Sequence, residues 1–193
     1  REEQGLELLD AGASRAFAVA DHQVAHVYVQ DDDARSAARE ALVGLAGVEQ
    51  VAEGASRRAL GLEHDRAGDL VLVAERGAWF GHDYWLDDAR APDFARTVDI
   101  HRKPGYDPRE LFLDPTKPMV KAQIAWKLLR KKLGFRQLMD VIPLDASLVR
   151  GSHGRVDQPA DERPVLLCER EMELGEELAS VGVRDVVLEH LFE

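Results

Sequence analysis

The chain has 193 residues, 45% hydrophobic and 32% charged, enough for one folded domain with a real core and ordinary for a globular protein. Its 36 acidic and 25 basic residues leave a formal net charge of −11, which excludes a general nucleic-acid coat, because phosphate binding draws on net positive charge. No apolar run approaches the roughly 20 residues of a membrane span. The single cysteine, Cys168, excludes an internal disulfide framework or a cysteine-rich zinc site, and fits a reducing, cytoplasmic compartment. The chain opens on Arg1-Glu2-Glu3 rather than methionine, with no charged-then-apolar leader, so it reads as a portion of a longer protein.

Along the chain, Glu2 to Asp10 reads as the tail of a helix stopped by Gly12. Ala16 to Ala20 is a short apolar run. Val24 to Val29 alternates His26 and Tyr28 against Ala25, Val27 and Val29, the pattern of a strand. Asp31 to Asp33 caps a helix from about Ala34 to Leu45, since an aspartate there accepts free backbone N–H bonds and suits the positive end of the helix. Val48 to Val51 is a weak strand, and the unbroken Leu70 to Ala74 run predicts a strand buried on both faces. Residues 77–120 carry Trp79, Phe80, Tyr84, Trp85, Phe94, Tyr106 and Phe112 and are broken by five prolines. They read as a long, ordered aromatic loop. Pro118 to Leu133 predicts a helix with Ile124, Trp126, Leu128 and Leu129 apolar. Lys117 to Arg136 holds seven basic and no acidic residues, either a solvated face or a site for an acidic partner, a phosphate group or a membrane surface. Pro164 to Cys168 reads as a buried strand. Val183 to Leu191 reads as a final helix with Val183, Val186, Val187 and Leu191 on one face.

Three clusters carry chemistry. Asp21-His22 ends the first apolar run and offers an oxygen and a nitrogen to zinc; its plain alternative is a turn aspartate beside a hydrogen-bonded histidine. His26 lies further along the next strand. Gly151-Ser152-His153-Gly154 places an imidazole on backbone that can turn sharply near an ion, giving a metal or acid–base position. Arg155 beside it matches a phosphate oxygen or makes a surface ion pair. Thr97 to Pro108 packs Asp99, His101, Arg102 and Lys103 into a loop bent at Pro104 and Gly105. That loop either orders an anionic substrate or braces itself with ion pairs. No H-E-x-x-H, G-x-x-x-x-G-K-[ST], G-x-G-x-x-G or G-x-S-x-G motif is present, so zincin, nucleotide-loop and Ser-His-Asp chemistry have no local support.

His26-Val27-Tyr28-Val29, Gly68 to Ala74, Gly151-Ser152-His153-Gly154 and Pro164 to Leu167, in that order, resemble the C-terminal part of the nucleotide pyrophosphatase/phosphodiesterase branch of the alkaline phosphatase superfamily. The resemblance spans nearly the whole chain, and its most distinctive pieces are the Arg66-x-Gly-Asp-Leu strand and the Gly-x-His-Gly turn. It implies an α/β fold with a central, mostly parallel sheet between helices, and two zinc ions that activate a Thr or Ser hydroxyl against a phosphate ester or phosphodiester. It makes His153 a zinc ligand and Asp21-His22 a match to the family's Asp-His pair. The family's nucleophile, first metal-binding Asp and Asp-x-x-x-His pair lie upstream. The only threonines here, Thr97 and Thr116, lack the nucleophile's setting, so this chain alone is expected to be inactive.

The expected organisation is a small α+β unit at 16–76, the aromatic loop at 77–120 and a C-terminal core part at 121–193. The expected activity is zinc-dependent hydrolysis of phosphodiesters or nucleotide pyrophosphates. His153, Asp21 and His22 are the expected metal ligands. Trp79, Tyr84, Trp85, His101 and Arg155 are expected to contact a small phosphate ester or nucleotide. The other expected partner is the N-terminal portion of the same protein. The alternative is a non-catalytic module, or degenerate homologue, that binds through the aromatic loop or the basic helix.

Overall fold

The computed structural model of the chain describes residues 1–99, 101–103, 105–169, 175 and 177–192. These fall into two compact units, 1–156 and 157–193. The first begins with a two-stranded antiparallel hairpin, β1 Glu2–Glu3 and β2 Leu6–Glu7, where a helix tail was expected. Gln4 and Gly5 both take positive φ, 53° and 82°, the handedness that closes a two-residue hairpin. The nearby Leu6, Leu8 and Leu9 give a single i, i+3 pair, too short an apolar repeat to hold a helix against a core.

The main sheet contains β3 Ala16–Asp21, β4 Val24–Val29, β5 Val48–Ala52 and β6 Leu70–Ala74. Its spatial order is β3-β4-β6-β5, and every pairing is antiparallel. The mostly parallel sheet expected from the resemblance is therefore not seen among the described residues. The reason is local. A two-residue turn joins β3 to β4, which only an antiparallel pair allows. Helix α1, Asp32–Leu42, crosses from β4 to β5, and these two strands run the same way, but β6 lies between them and opposes both. Asp31 caps α1, accepting from the Ala34 amide at 2.6 Å.

Ala20, Ala25, Val27, Leu70 and Leu72 form the core beneath α1, with Ala38, Leu42, Val48, Val51 and Phe80 packed against it. Interior position explains why β6 is apolar throughout: Leu70, Val71, Leu72 and Ala74 are all buried. A short helix, α2 Gly54–Ala59, follows β5 and was not anticipated. From β6 to Val120 the described residues form two 3-10 turns, Asp88–Arg90 and Pro108–Leu111, and an isolated antiparallel bridge from Thr97 to Asp140, with no long element, as the proline spacing predicts. Helix α3, Val120–Lys132, then lies on the surface with no buried residue.

In the second unit, α4 spans Val183–Phe192. Val186 is its one buried residue, so the expected apolar face is mostly open, with Val187 and Leu191 exposed. The strand expected at Pro164 to Cys168 does not form, and Val165 and Leu167 are 80% and 89% exposed. No neighbouring strand among the described residues of that unit offers a ladder to pair its backbone, and an apolar run alone cannot supply one.

Candidate metal centre

The β3–β4 turn builds the site. Asp21 ends β3 and pairs with Val24, leaving His22 and Gln23 as the loop. His22 sits at φ 55°, a left-handed conformation that a non-glycine residue holds only when its surroundings enforce it. They do so from several sides. The Phe80 amide donates to the His22 carbonyl at 2.6 Å and the Ala74 amide to the Gln23 carbonyl at 2.9 Å. The Gln23 side chain donates to the carbonyls of Arg76 and Ala78 at 3.3 and 3.2 Å.

The Gly151–Arg155 segment docks onto this turn, although 131 residues separate His22 from His153. The Gln23 amide donates to the His153 carbonyl at 2.9 Å. Gly154 holds φ 121°, and a Cβ there would stand 3.2–3.3 Å from the Asp21 carbonyl and the amides of Gln23 and Val24. Only glycine fits this approach without displacing the turn. Arg155 anchors the segment on its far side, donating to the Ala74 carbonyl at 2.6 Å and pairing with Glu49.

As a result the Nδ1 atoms of His22 and His153 face each other at 3.2 Å, and His153 Nε2 stands 3.6 Å from Asp21 Oδ1. One ligand atom from each of Asp21, His22 and His153 lies within 4.8 Å of the others. His22 is buried, whereas Asp21 and His153 open to solvent. The buried ring is oriented by the main chain: His22 Nε2 lies 3.2 Å from the Tyr106 carbonyl. A carbonyl only accepts, so a hydrogen bond there puts a proton on Nε2, and in the neutral ring Nδ1 is then the lone-pair nitrogen facing His153. Metal-bound histidines are oriented in this way, with the second nitrogen tied to a carbonyl or carboxylate. For zinc–nitrogen bonds of about 2.0–2.1 Å in a tetrahedron, two nitrogens stand roughly 3.3 Å apart, close to the separation seen here. Three donors suit one open zinc site; they are too few for two four-coordinate ions.

Around the site the aromatic rings sort themselves. Trp79 stands edge-on to His22 with ring centroids 6.3 Å apart, and Tyr106, which the sequence reading left out of the site, has its ring 6.0 Å away. Tyr84 is half-buried and donates to the Ala18 carbonyl at 2.6 Å; burial raises its pKa. Trp85 donates to Asp88 at 2.9 Å. His101 is exposed in its turn, its amide bonded to Asp99. His82 was also missed. It is buried, its Nε2 lies 3.2 Å from the same Tyr106 carbonyl, and its Nδ1 has no hydrogen-bond partner among the described residues. Burial lowers its pKa.

The loop that delivers the Tyr106 carbonyl is braced by ion pairs, one of the two readings its charges allow. Lys103 is buried between Asp107 and Glu110 at 3.2 and 2.9 Å. The fully buried Arg109 donates to both oxygens of Asp83 at 2.9 and 2.6 Å, to Asp107 at 2.9 Å and to the Leu144 carbonyl at 2.9 Å. Arg102 pairs with Asp93 at 2.7 Å and lies over Phe94. Ile100 and Pro104, the latter expected to bend this loop, lie outside the described residues.

Comparison with known proteins returned no match among curated proteins or among solved structures. The sequence model of one family, type I phosphodiesterase / nucleotide pyrophosphatase, matches residues 1–107. That span covers more than half of the chain and includes Asp21, His22, Trp79 and Tyr106, while His153 and Arg155 lie beyond it. The chain thus belongs to the type I phosphodiesterase / nucleotide pyrophosphatase family.

Proposed function

We propose that Asp21, His22 and His153 hold a zinc ion in a hydrolase of phosphodiesters or nucleotide pyrophosphates. In this reading the nucleophile and the remaining ligands for a two-zinc centre come from a portion of the protein outside this sequence. The observation that carries the proposal is the convergence of the three donors, with His22 Nε2 tied to the Tyr106 carbonyl and its Nδ1 turned to His153.

Zinc bound there would supply Lewis-acid stabilisation of negative charge developing on a phosphoryl oxygen. The protein's own contribution is orientation. The Tyr106 carbonyl holds the His22 proton on Nε2, Gly154 lets His153 approach the turn, and Asp21 supplies the negative charge. Trp79, with Tyr84 and Trp85 on the same loop, is assigned to the leaving group, where an indole face can stack on a base or ring. His101 is assigned to phosphate contacts, and Arg155 joins it on release from its partner Glu49. The same proposal includes a cytoplasmic location, supported by the single cysteine, and a mostly parallel sheet elsewhere in the whole domain.

Metal analysis of the dialysed 193-residue chain, with His153→Ala and His22→Ala beside it, tests the centre: about one zinc per chain is expected, and neither variant retains it. A chain extended upstream to include a threonine nucleophile is expected to hydrolyse a nitrophenyl phosphodiester, and to lose that activity with His153→Ala. An extended chain that is folded and zinc-loaded yet inert would refute the hydrolase reading.

A further inference from the structure

Helix α3 presents its apolar side outward. Ala122, Trp126, Leu129 and Leu133 recur at steps of four, three and four residues, which places them on one stripe. Trp126, Leu129 and Leu133 are 59%, 47% and 66% exposed. The side turned to the body instead carries the half-buried Val120, Gln123, Ile124, Lys127 and Arg130. Lys127 is tied to Asp140 and to the Leu138 carbonyl, and Arg130 lies over the Phe135 ring. A surface helix in water normally faces the other way. The exposure extends beyond the stripe to Met119, Leu128 and Phe135.

Charge narrows what can cover this face. The run Lys117–Arg136 holds seven basic residues and no acidic one, in a chain of net charge −11. Lys121, Lys131, Lys132 and Arg136 are exposed. A second copy of the helix laid on the first would set these cations against each other, so self-pairing is disfavoured. A narrow seam of alternating three and four spacing suits a partner helix, but the apolar surface here is wider than a seam. A broad face of Trp, Leu, Phe and Met flanked by Lys121 and Lys132 matches a helix lying in a lipid interface: apolar side chains enter the acyl boundary and lysines reach up to anionic headgroups.

We propose that α3 is a docking surface for an anionic lipid bilayer, holding the protein at a membrane face by the Trp126–Leu129–Leu133 stripe and the lysines Lys121 and Lys132 on its flank. This inference does not depend on the zinc centre.

Co-sedimentation of the intact 193-residue chain with phosphatidylcholine vesicles, pure or mixed with phosphatidylserine, tests it. Binding to the mixed vesicles and not to the pure ones is expected, with a blue shift of Trp emission that Trp126→Phe removes. Each cation near an anionic surface contributes a factor of roughly five, so the double change Lys121→Gln and Lys132→Gln, on the flank of the stripe, should weaken binding about 25-fold. Leu129→Glu with Leu133→Glu should abolish it at an unchanged thermal midpoint. Equal binding to both vesicle types would overturn the proposal, as would no binding to either. Two further results would overturn it: self-association that depends on the stripe, and retention on polyglutamate without vesicle binding.

Discussion

Arg109→Met tests whether the ion network beneath the Tyr106 loop does the work assigned to it. Arg109 is fully buried, so the wild-type guanidinium has exchanged its hydration for three carboxylate contacts and the Leu144 carbonyl. Methionine fills the stem volume and removes the charge. Breaking one partner out of a buried pair costs about 3–5 kcal/mol, because the other charge is left uncompensated. Two features place this site toward the lower end. The Asp83 side chain is 38% exposed and can rehydrate, and Asp107 keeps Lys103 at 3.2 Å. The Leu144 carbonyl, which loses a donor, adds about 1–3 kcal/mol only if water cannot replace it. A loss of about 3 kcal/mol is therefore expected in urea unfolding followed by tryptophan fluorescence. For a chain of this size that corresponds to a fall of roughly 6–12 °C in Tm. Zinc affinity should fall as well under conditions where the variant remains folded, because the loop carries the acceptor that orients His22. Arg109→Lys, a point charge that cannot serve both carboxylates, should fall between. A loss below about 1 kcal/mol with unchanged zinc affinity would refute both the network's energetic role and its link to the site.

Two other outcomes are expected. The buried His82 has its pKa lowered from 6.5, chiefly by desolvation; the unfolded chain then takes up a proton that the folded state resists, so stability is lost as pH falls below about 6.5. Urea midpoints at pH 7.5 and 5.5 should differ less in His82→Gln than in the wild type, and an identical difference would refute the assignment; the carboxylates with lowered pKa, such as Asp107, act in a more acidic window. Gly154→Ala should leave the fold intact while reducing zinc affinity at least tenfold by calorimetry, since φ 121° and backbone neighbours at 3.2–3.3 Å force a β-carbon to push His153 off the turn, at a strain of about 1–3 kcal/mol; wild-type affinity in that variant would refute the docking geometry.

Local pattern determined much of this protein. Alternation set β4 at Val24–Val29, continuous apolarity set β6, the aspartate cap started α1 two residues before the expected Ala34, and proline spacing kept the described residues of 77–119 free of strands and α-helices. These features are encoded within a few residues, where dihedral preference and capping act. Asp21, His22 and His153 were also legible as residue types suited to metal. Tertiary structure alone decided the rest. A short hairpin replaced the helix tail at Glu2 because a turn with two positive φ values outweighed weak periodicity. The Pro164–Cys168 run found no partner strand among the described residues of its unit and stayed exposed. The Tyr106 carbonyl and His82 had no signal to read, because a main-chain acceptor has no residue type and His82 lies in no motif. The outward face of α3 is decided by packing, since its sequence carries apolar residues on more than one side. A strand or cap is a property of neighbours in sequence; a lone pair aimed across 131 residues exists only once the chain has closed on itself.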